Sequence, residues 1–191
     1  MPWLTDKTKS GYAKISYCRW EVEEDLNLLA IVHHRQYYSK NSLTRTLVQA
    51  YENFLDSQEK EIAIRSRIFT EFLADEYAKQ VNNYFEYMIS AIFAEIATNY
   101  PKRDIDGILY PSVKVSGDGY NVALTPKACE KISLRAAGEC SVYSKMDHTY
   151  VGTDSIVSLD GRTDNFDLVK TNRDRTEIFK RLGVSSIDEL I

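Results

Sequence analysis

The sequence has only three cysteines, Cys18, Cys129 and Cys140, an odd number without CxxC spacing. That excludes a disulfide framework and leaves free thiols in a reducing cytoplasm as the expectation, ahead of a metal site or a nucleophile. Long apolar runs are missing too: the stretch from Met88 to Ala97 is interrupted by Glu95 and falls well short of the ~20 residues a helical bilayer span requires. There is no surplus of positive charge, since 24 Lys and Arg face 28 Asp and Glu for a net charge of -4. A chain whose main work is to coat nucleic acid or an anionic membrane is thereby disfavoured. Met1-Pro2-Trp3-Leu4 runs at once into Asp6, Lys7 and Lys9, so no secretory signal is expected. Internal repeats and low-complexity tracts are absent as well.

What is present suffices for a core. With 191 residues, 43% of them hydrophobic, the chain makes one domain, or one plus a short appendage, and buries roughly 70% of its unfolded surface without staples. Tyr12 to Trp20 alternates Ala13, Ile15 and Tyr17 with Lys14, Ser16 and Cys18, the pattern of a half-buried strand. Leu26 to Val32 is a second candidate strand. From Ser42, expected as N-cap, Leu43, Leu47, Ala50, Tyr51, Phe54 and Leu55 recur at helical spacing. Ile62 to Val81 continues in that register through Ile64, Ile68, Phe69, Phe72, Leu73, Ala74 and Tyr77, and a third helical stretch, Tyr84 to Asn99, runs up to Pro101. The aromatic residues Tyr77, Tyr84, Phe85, Tyr87 and Phe93 are expected to be core or partly buried packing.

Beyond Pro101 the pattern turns to strand. Ile105 to Val113 and Tyr120 to Leu124 are joined through Ser116-Gly117-Asp118-Gly119, and an Asp-Gly between apolar runs predicts a tight hairpin turn. Pro111 cannot donate to a ladder, which places Tyr110 and Ser112 at a strand edge, a bulge or its end. Pro126 to Leu134 is expected to be a short helix that returns to a strand over Gly138 to Tyr143. Gly152, Gly161, Asp164 and Asn165 mark loops, Arg173 to Leu182 a helix that Gly183 terminates, and Ser186 to Ile191 a last helical turn.

Few residues form a constellation with obvious chemistry. His33-His34 with Tyr37 and Tyr38 invites a metal reading, but no Asp, Glu or Cys stands at a supporting spacing, and surface histidines in a loop are the expectation. Ser112, His148 and an Asp do not make a hydrolase triad without a G-x-S-x-G elbow. Ser116 to Gly119 lacks the Gly-Lys-Ser/Thr ending of a phosphate loop.

The segment Asp106-Gly107-Ile108-Leu109-Tyr110-Pro111-Ser112-Val113, followed by Gly119-Tyr120-Asn121-Val122-Ala123-Leu124, resembles the RES domain family, whose members carry Gly-Ile-x-Tyr-x-Ser, a glycine-bearing turn and Asn-x-Ala-Leu. The helices with Phe69-x-x-Phe72-Leu73-x-x-Glu76-Tyr77 and Ile89-x-x-Ile92-Phe93-Ala94-Glu95 look like those preceding that motif. Pro2-Trp3 and Ile15 to Trp20 look like an Arg-Pro turn and the strand after it, so that the resemblance spans roughly residues 2 to 145.

The resemblance implies a cytoplasmic bacterial enzyme on an ADP-ribosyltransferase-like fold that consumes NAD, commonly a toxin paired with an Xre-type antitoxin. NAD would be the substrate rather than a cofactor, cleaved between nicotinamide and ribose with water or phosphate taking the ribosyl carbon. By position Ser112 matches the family serine and is the candidate catalytic residue, while Tyr110 and Asn121 match motif positions and are candidates for binding the nucleotide. The three are expected to line one side of a cleft. The family's arginine and acidic residue lie upstream of the matching segment, which implies a domain without them. The alternative is a non-catalytic module that binds an antitoxin or a sister subunit.

The fold expected is α+β, with a small mixed or antiparallel sheet packed on a central helical layer. The domain boundaries expected are 1–145 for the RES-like domain and 146–191 for a C-terminal extension.

Overall fold

A computed structural model of the chain describes residues 10–38, 41–79, 84–100, 104–160, 165–171 and 175–191. Pro2, Trp3, Pro101, Gly161, Asp164 and Arg173, to which the sequence assigns turns or element ends, lie outside these residues. The fold is α+β, and the chain divides into two compact units, one made of residues up to Glu23 together with Ile132–Ile191, the other of Glu24–Lys131. Positions 145 and 146, where the sequence suggests a boundary, fall at a hairpin turn inside the first unit.

The first unit is a four-stranded antiparallel sheet, β1 (Gly11–Val22), β5 (Ile132–Lys145), β6 (His148–Ser158) and β7 (Val169–Lys170), in the order β1-β5-β6-β7, with helix α4 (Thr176–Leu182) following in the chain. β1 is the strand the alternation predicts. β5 starts earlier than expected, because Ile132, Ser133 and Leu134 pair with Val22, Glu21 and Trp20 rather than closing a helix; the turn before them is a short 3-10 stretch.

β6 replaces an expected loop. Its polar, glycine-bearing sequence has little alternation, and it is a strand because it pairs with β5 from His148 opposite Lys145 to Ser158 opposite Ala136, with Gly152 opposite Ser141. The core gathers Tyr143, Leu182, Val184 and Leu190, with Ile178 and Phe179 packed on them. The C-terminal segment thus docks on its own sheet, and Gly183, at φ 62, ends α4 in the left-handed conformation that favours glycine.

The second unit is a three-stranded mixed sheet under a helical layer. Its elements are β2 (Leu28–Ala30), α1 (Ser42–Asp56), α2 (Lys60–Ala78), α3 (Met88–Thr98), β3 (Gly107–Pro111) and β4 (Tyr120–Leu124). β3 lies between a parallel β2 and an antiparallel β4. Only three residues of the expected Leu26 to Val32 strand join the ladder. Ile31, Leu73, Ala74 and Ile108 form the core, with Tyr77, Phe93 and Tyr110 against it.

Three expectations about the helical region change. The N-cap of α1 is Asn41 rather than Ser42, because the Asn41 Oδ1 accepts from the Thr44 amide at 2.9 Å. More consequentially, the apolar stripe of α2 is split: Leu73 and Ala74 are buried and Tyr77 half-buried, but Ile64, Ile68, Phe69 and Phe72 are exposed, while Ser66, Arg67 and Thr70 are half-buried. Arg67 is held there by Glu52 of α1, with Nη2 donating to Oε2 at 2.5 Å. Phe85 and Tyr87 are likewise exposed, at 84% and 54%, not packed inside. Among the described residues no helix is long and apolar enough to cross a membrane.

Candidate functional site

The β3–β4 hairpin brings two of the three motif residues together. Tyr110 and Asn121 are directly opposed in the register, so their side chains leave the same face of the sheet, the face on which Ile108 reaches the core. Tyr110 is half-buried with its ring 5.0 Å from that of Tyr77, edge to face. Asn121, on edge strand β4, is exposed. Tyr77 donates its hydroxyl to the Ser90 carbonyl at 2.9 Å, and burial pushes the phenol up to about 12.

Ser112 follows Pro111, the last residue of β3, and is half-buried. Its backbone is fixed from both sides: its amide donates to the Gly119 carbonyl at 2.8 Å, and its carbonyl accepts from the Gly117 amide at 2.9 Å. The connection is not the tight two-residue turn that Asp118-Gly119 predicts. A 3-10 turn over Val113–Val115 lengthens it, and the positive φ values fall on Ser116 (51) and Gly117 (83). A side chain at Gly117 would also meet the Tyr37 ring, whose Cγ lies 2.6 Å from where its Cβ would stand.

Asn41 ties this loop to the start of α1. Its Nδ2 donates to the Gly117 carbonyl at 3.1 Å, and its Oδ1 accepts from the Tyr120 hydroxyl at 2.6 Å as well as from Thr44. Because that phenolic proton goes to Asn41, the fully buried Thr44 hydroxyl is the donor in its 2.5 Å bond to the Tyr120 oxygen. The sequence signal for this lock was faint: an Asn three residues before a Thr at a helix start, and a Tyr after a glycine.

His33 and His34 are not surface histidines. His33 is 4% exposed, its ring 4.5 Å from that of Tyr51, and its Nε2 is buried with no hydrogen-bond partner among the described residues. Burial holds its pKa below the ordinary histidine value, against the pull of Glu52 and Glu71. His34 is half-buried, 3.8 Å from the Asp75 carboxylate. Among the described residues no group of three His, Cys, Asp or Glu side chains is placed to hold a metal.

A cavity of about 400 Å³ opens beside His33, with Ile31, Leu73 and His33 as its buried floor and Phe69, Ile96 and Tyr100 as an exposed rim. Tyr110, Ser112 and Asn121 do not line it. In the other unit, Tyr143, Asp154, Thr171 and Arg175 enclose a chamber of only about 40 Å³, room for water rather than a substrate. There Asp154 accepts from Arg175 at 2.8 Å and from Ser141 at 2.6 Å.

A further ion pair anchors the second unit. Lys131 donates to the buried Asp106 carboxylate at 2.8 Å, and the Asn27 amide donates to the same oxygen at 2.8 Å. The Lys131 ammonium first, then the Asn27 amide, hold that carboxyl below its ordinary range. Asp106 immediately precedes β3, so the pair fixes the entry to the hairpin.

Cys18 and Cys129 are exposed free thiols and Cys140 a buried one. Comparison with protein-family models, with curated proteins and with solved structures finds no match to this chain.

Proposed function

We propose that the chain carries a RES-type domain, over residues 1–145, that binds NAD at the β3–β4 hairpin and acts on its nicotinamide–ribose bond. The observation that supports this reading is the pairing of Tyr110 with Asn121 on one face, with Ser112 two residues beyond Tyr110 on a backbone held at both ends. A hydroxyl and a carboxamide at the end of one hairpin can hydrogen-bond ribose or phosphate oxygens. Ser112 takes the catalytic position and Tyr110 and Asn121 the nucleotide-binding positions. Water or phosphate is the acceptor, and an Xre-type antitoxin is the partner in a bacterial cytoplasm.

Calorimetric titration of the full chain with NAD, alongside chromatographic detection of released nicotinamide, tests the reading. Binding that weakens in Ser112→Ala and in Asn121→Ala, with circular dichroism unchanged, is the expected result. No NAD binding by the unmodified chain overturns it.

A second reading is favoured by a different observation. Ile64, Ile68 and Phe72 of α2 and Met88, Ile92 and Ile96 of α3 are all exposed, more apolar surface than isolated surface residues account for. This supports a protein-binding module that engages an antitoxin or a second copy of the chain without catalysis. Light scattering of the purified protein separates the cases: a monomer that binds NAD leaves the catalytic reading standing alone.

A further inference from the structure

The four-stranded sheet ends differently at its two edges. β7, at one edge, is two residues long, a length that offers little to another strand. β1, at the other, runs for twelve residues from Gly11 to Val22 without a proline, and among the described residues it pairs with β5 alone. The register shift between these two strands does not bulge β1: Arg19 pairs with Ala136 and Trp20 with Leu134, so the extra residue is Arg135 of β5. The residues from Ser16 to Val22 are all exposed, Trp20 at 54% and Val22 at 57%. An edge of this length, free of bulge and proline, presents a row of backbone donors and acceptors that another strand can take up.

We infer that β1 pairs antiparallel with β1 of a second copy of this chain, about a two-fold axis at Tyr17, joining two four-stranded sheets into one of eight. The charges on the strand select this occupant and this register. Lys14 and Arg19 are residues of the kind that keep an edge from pairing at random, so a strand that pairs here has to set something other than a cation against them. Two β1 strands in parallel register would set Lys14, Arg19 and Glu21 each against itself. An antiparallel pair about Tyr17 opposes no like charges: Lys14 comes opposite Trp20 of the second copy, Arg19 opposite Ile15, and Glu21 opposite Ala13. The Lys14 ammonium then meets an indole, a cation on an aromatic ring. Tyr12 meets Val22 on that same face, and Tyr17 meets its own copy on the other, aromatic pairs of the kind that stabilise neighbouring strands. Residues of like parity meet throughout, so each face of one sheet continues into the same face of the other. The two-fold makes every one of these contacts twice, apart from that at Tyr17 on the axis. No residue of β1 belongs to the β3–β4 hairpin or to the exposed faces of α2 and α3, and the inference stands apart from both readings above.

Light scattering of the full chain over a range of concentrations is the first measurement, made in the Ile92→Glu background so that the helix faces do not hold copies together. A concentration-dependent dimer is expected, and Tyr17→Lys, which sets two ammonium groups across the axis, should weaken it about tenfold with circular dichroism unchanged. Cross-linking reads the register. With Cys129→Ser removing the other exposed thiol, Ser16→Cys places a new thiol opposite Cys18 of the second copy. Mild oxidation should then give a disulfide-linked dimer whose joined peptides connect position 16 to Cys18. Without Ser16→Cys no linked dimer should form, because the two Cys18 Cα atoms stand more than ~7 Å apart in this register, beyond disulfide reach. Ser16→Cys leaves Tyr17, whose ring lies over Gly138, in place, so the cross-link decides if Tyr17→Lys does not fold. A monomer at every concentration, a dimer indifferent to a folded Tyr17→Lys, or linkage through Cys18 alone overturns the inference.

Discussion

The two units solve the same problem to different degrees. In the sheet formed by β1, β5, β6 and β7, the C-terminal residues cover one face, so that Tyr143 is fully buried beneath Leu182, Val184 and Leu190. In the unit of residues 24–131, α3 has no buried residue and α2 buries only Leu73 and Ala74 of its nineteen. The first unit buries Tyr143, Leu182, Val184 and Leu190 on that face and leaves Trp20, Val22, Val151 and Val169 of its strands exposed. The second keeps a small core of Ile31, Leu73, Ala74 and Ile108 and leaves the apolar faces of α2 and α3 exposed beside an open cavity. Closure of that kind is what a structural module needs, and incomplete closure is where ligands and partners are taken up.

The sharpest way to break the contrast is in the closed unit. Leu190→Ala removes a side chain that is 1% exposed and should cost about 3 kcal/mol, as large-to-small core changes do. Chemical denaturation followed by tyrosine fluorescence would show it, and a cost near zero would mean that the C-terminal segment does not close this sheet.

In the open unit the largest effect falls on a polar residue. Asn41→Ala deletes the α1 cap and strips partners from Gly117 and Tyr120, an expected loss of ~2 kcal/mol. Amide exchange over residues 112–120 should quicken, and NAD binding, if seated there, should weaken with it.

Acid acts on the same unit. The His33 pKa is lowered in the folded chain by burial, so the unfolded chain takes up the proton first as pH falls. The stability that neutral His33 confers is therefore complete above the ordinary histidine value and is lost as pH falls from there through the folded value. Thermal midpoints measured across mildly acidic pH should fall in the unmodified chain and fall less in His33→Phe. Asp106 adds a separate loss at lower pH, because Lys131 and the Asn27 amide depress its pKa and its contribution disappears only as pH drops through that depressed value.

The smallest change in stability is expected at the exposed helix faces. Ile92→Glu, at a residue 50% exposed, should shift stability by no more than about 0.5 kcal/mol while reducing self-association measured by light scattering. A large loss of stability there would mean that the face is packed and would remove the contrast between the units.

The sequence by itself determined the local elements whose signals are local. Alternation from Tyr12 to Trp20 gave β1, three- and four-residue recurrence gave the helices, and Gly183 gave the end of α4, because strand pleat, helix period and left-handed φ are properties of a few neighbouring residues. Tyr110, Ser112 and Asn121 were singled out differently, by the resemblance of one short stretch to a family motif.

Tertiary structure decided what depends on partners distant in the chain. β6 is a strand because β5 lies beside it over its whole length, not because its own residues alternate. Ile64, Ile68 and Phe72 of α2 point outward because Leu73 and Ala74 pack on Ile31 and Ile108 and Arg67 pairs with Glu52; periodicity finds a stripe but not which of its residues the core takes. His33 became a buried residue beside a cavity, and Asn41 the tie between a helix start and the Ser112 loop. Both roles rest on side chains brought together across dozens of residues, which no local pattern encodes.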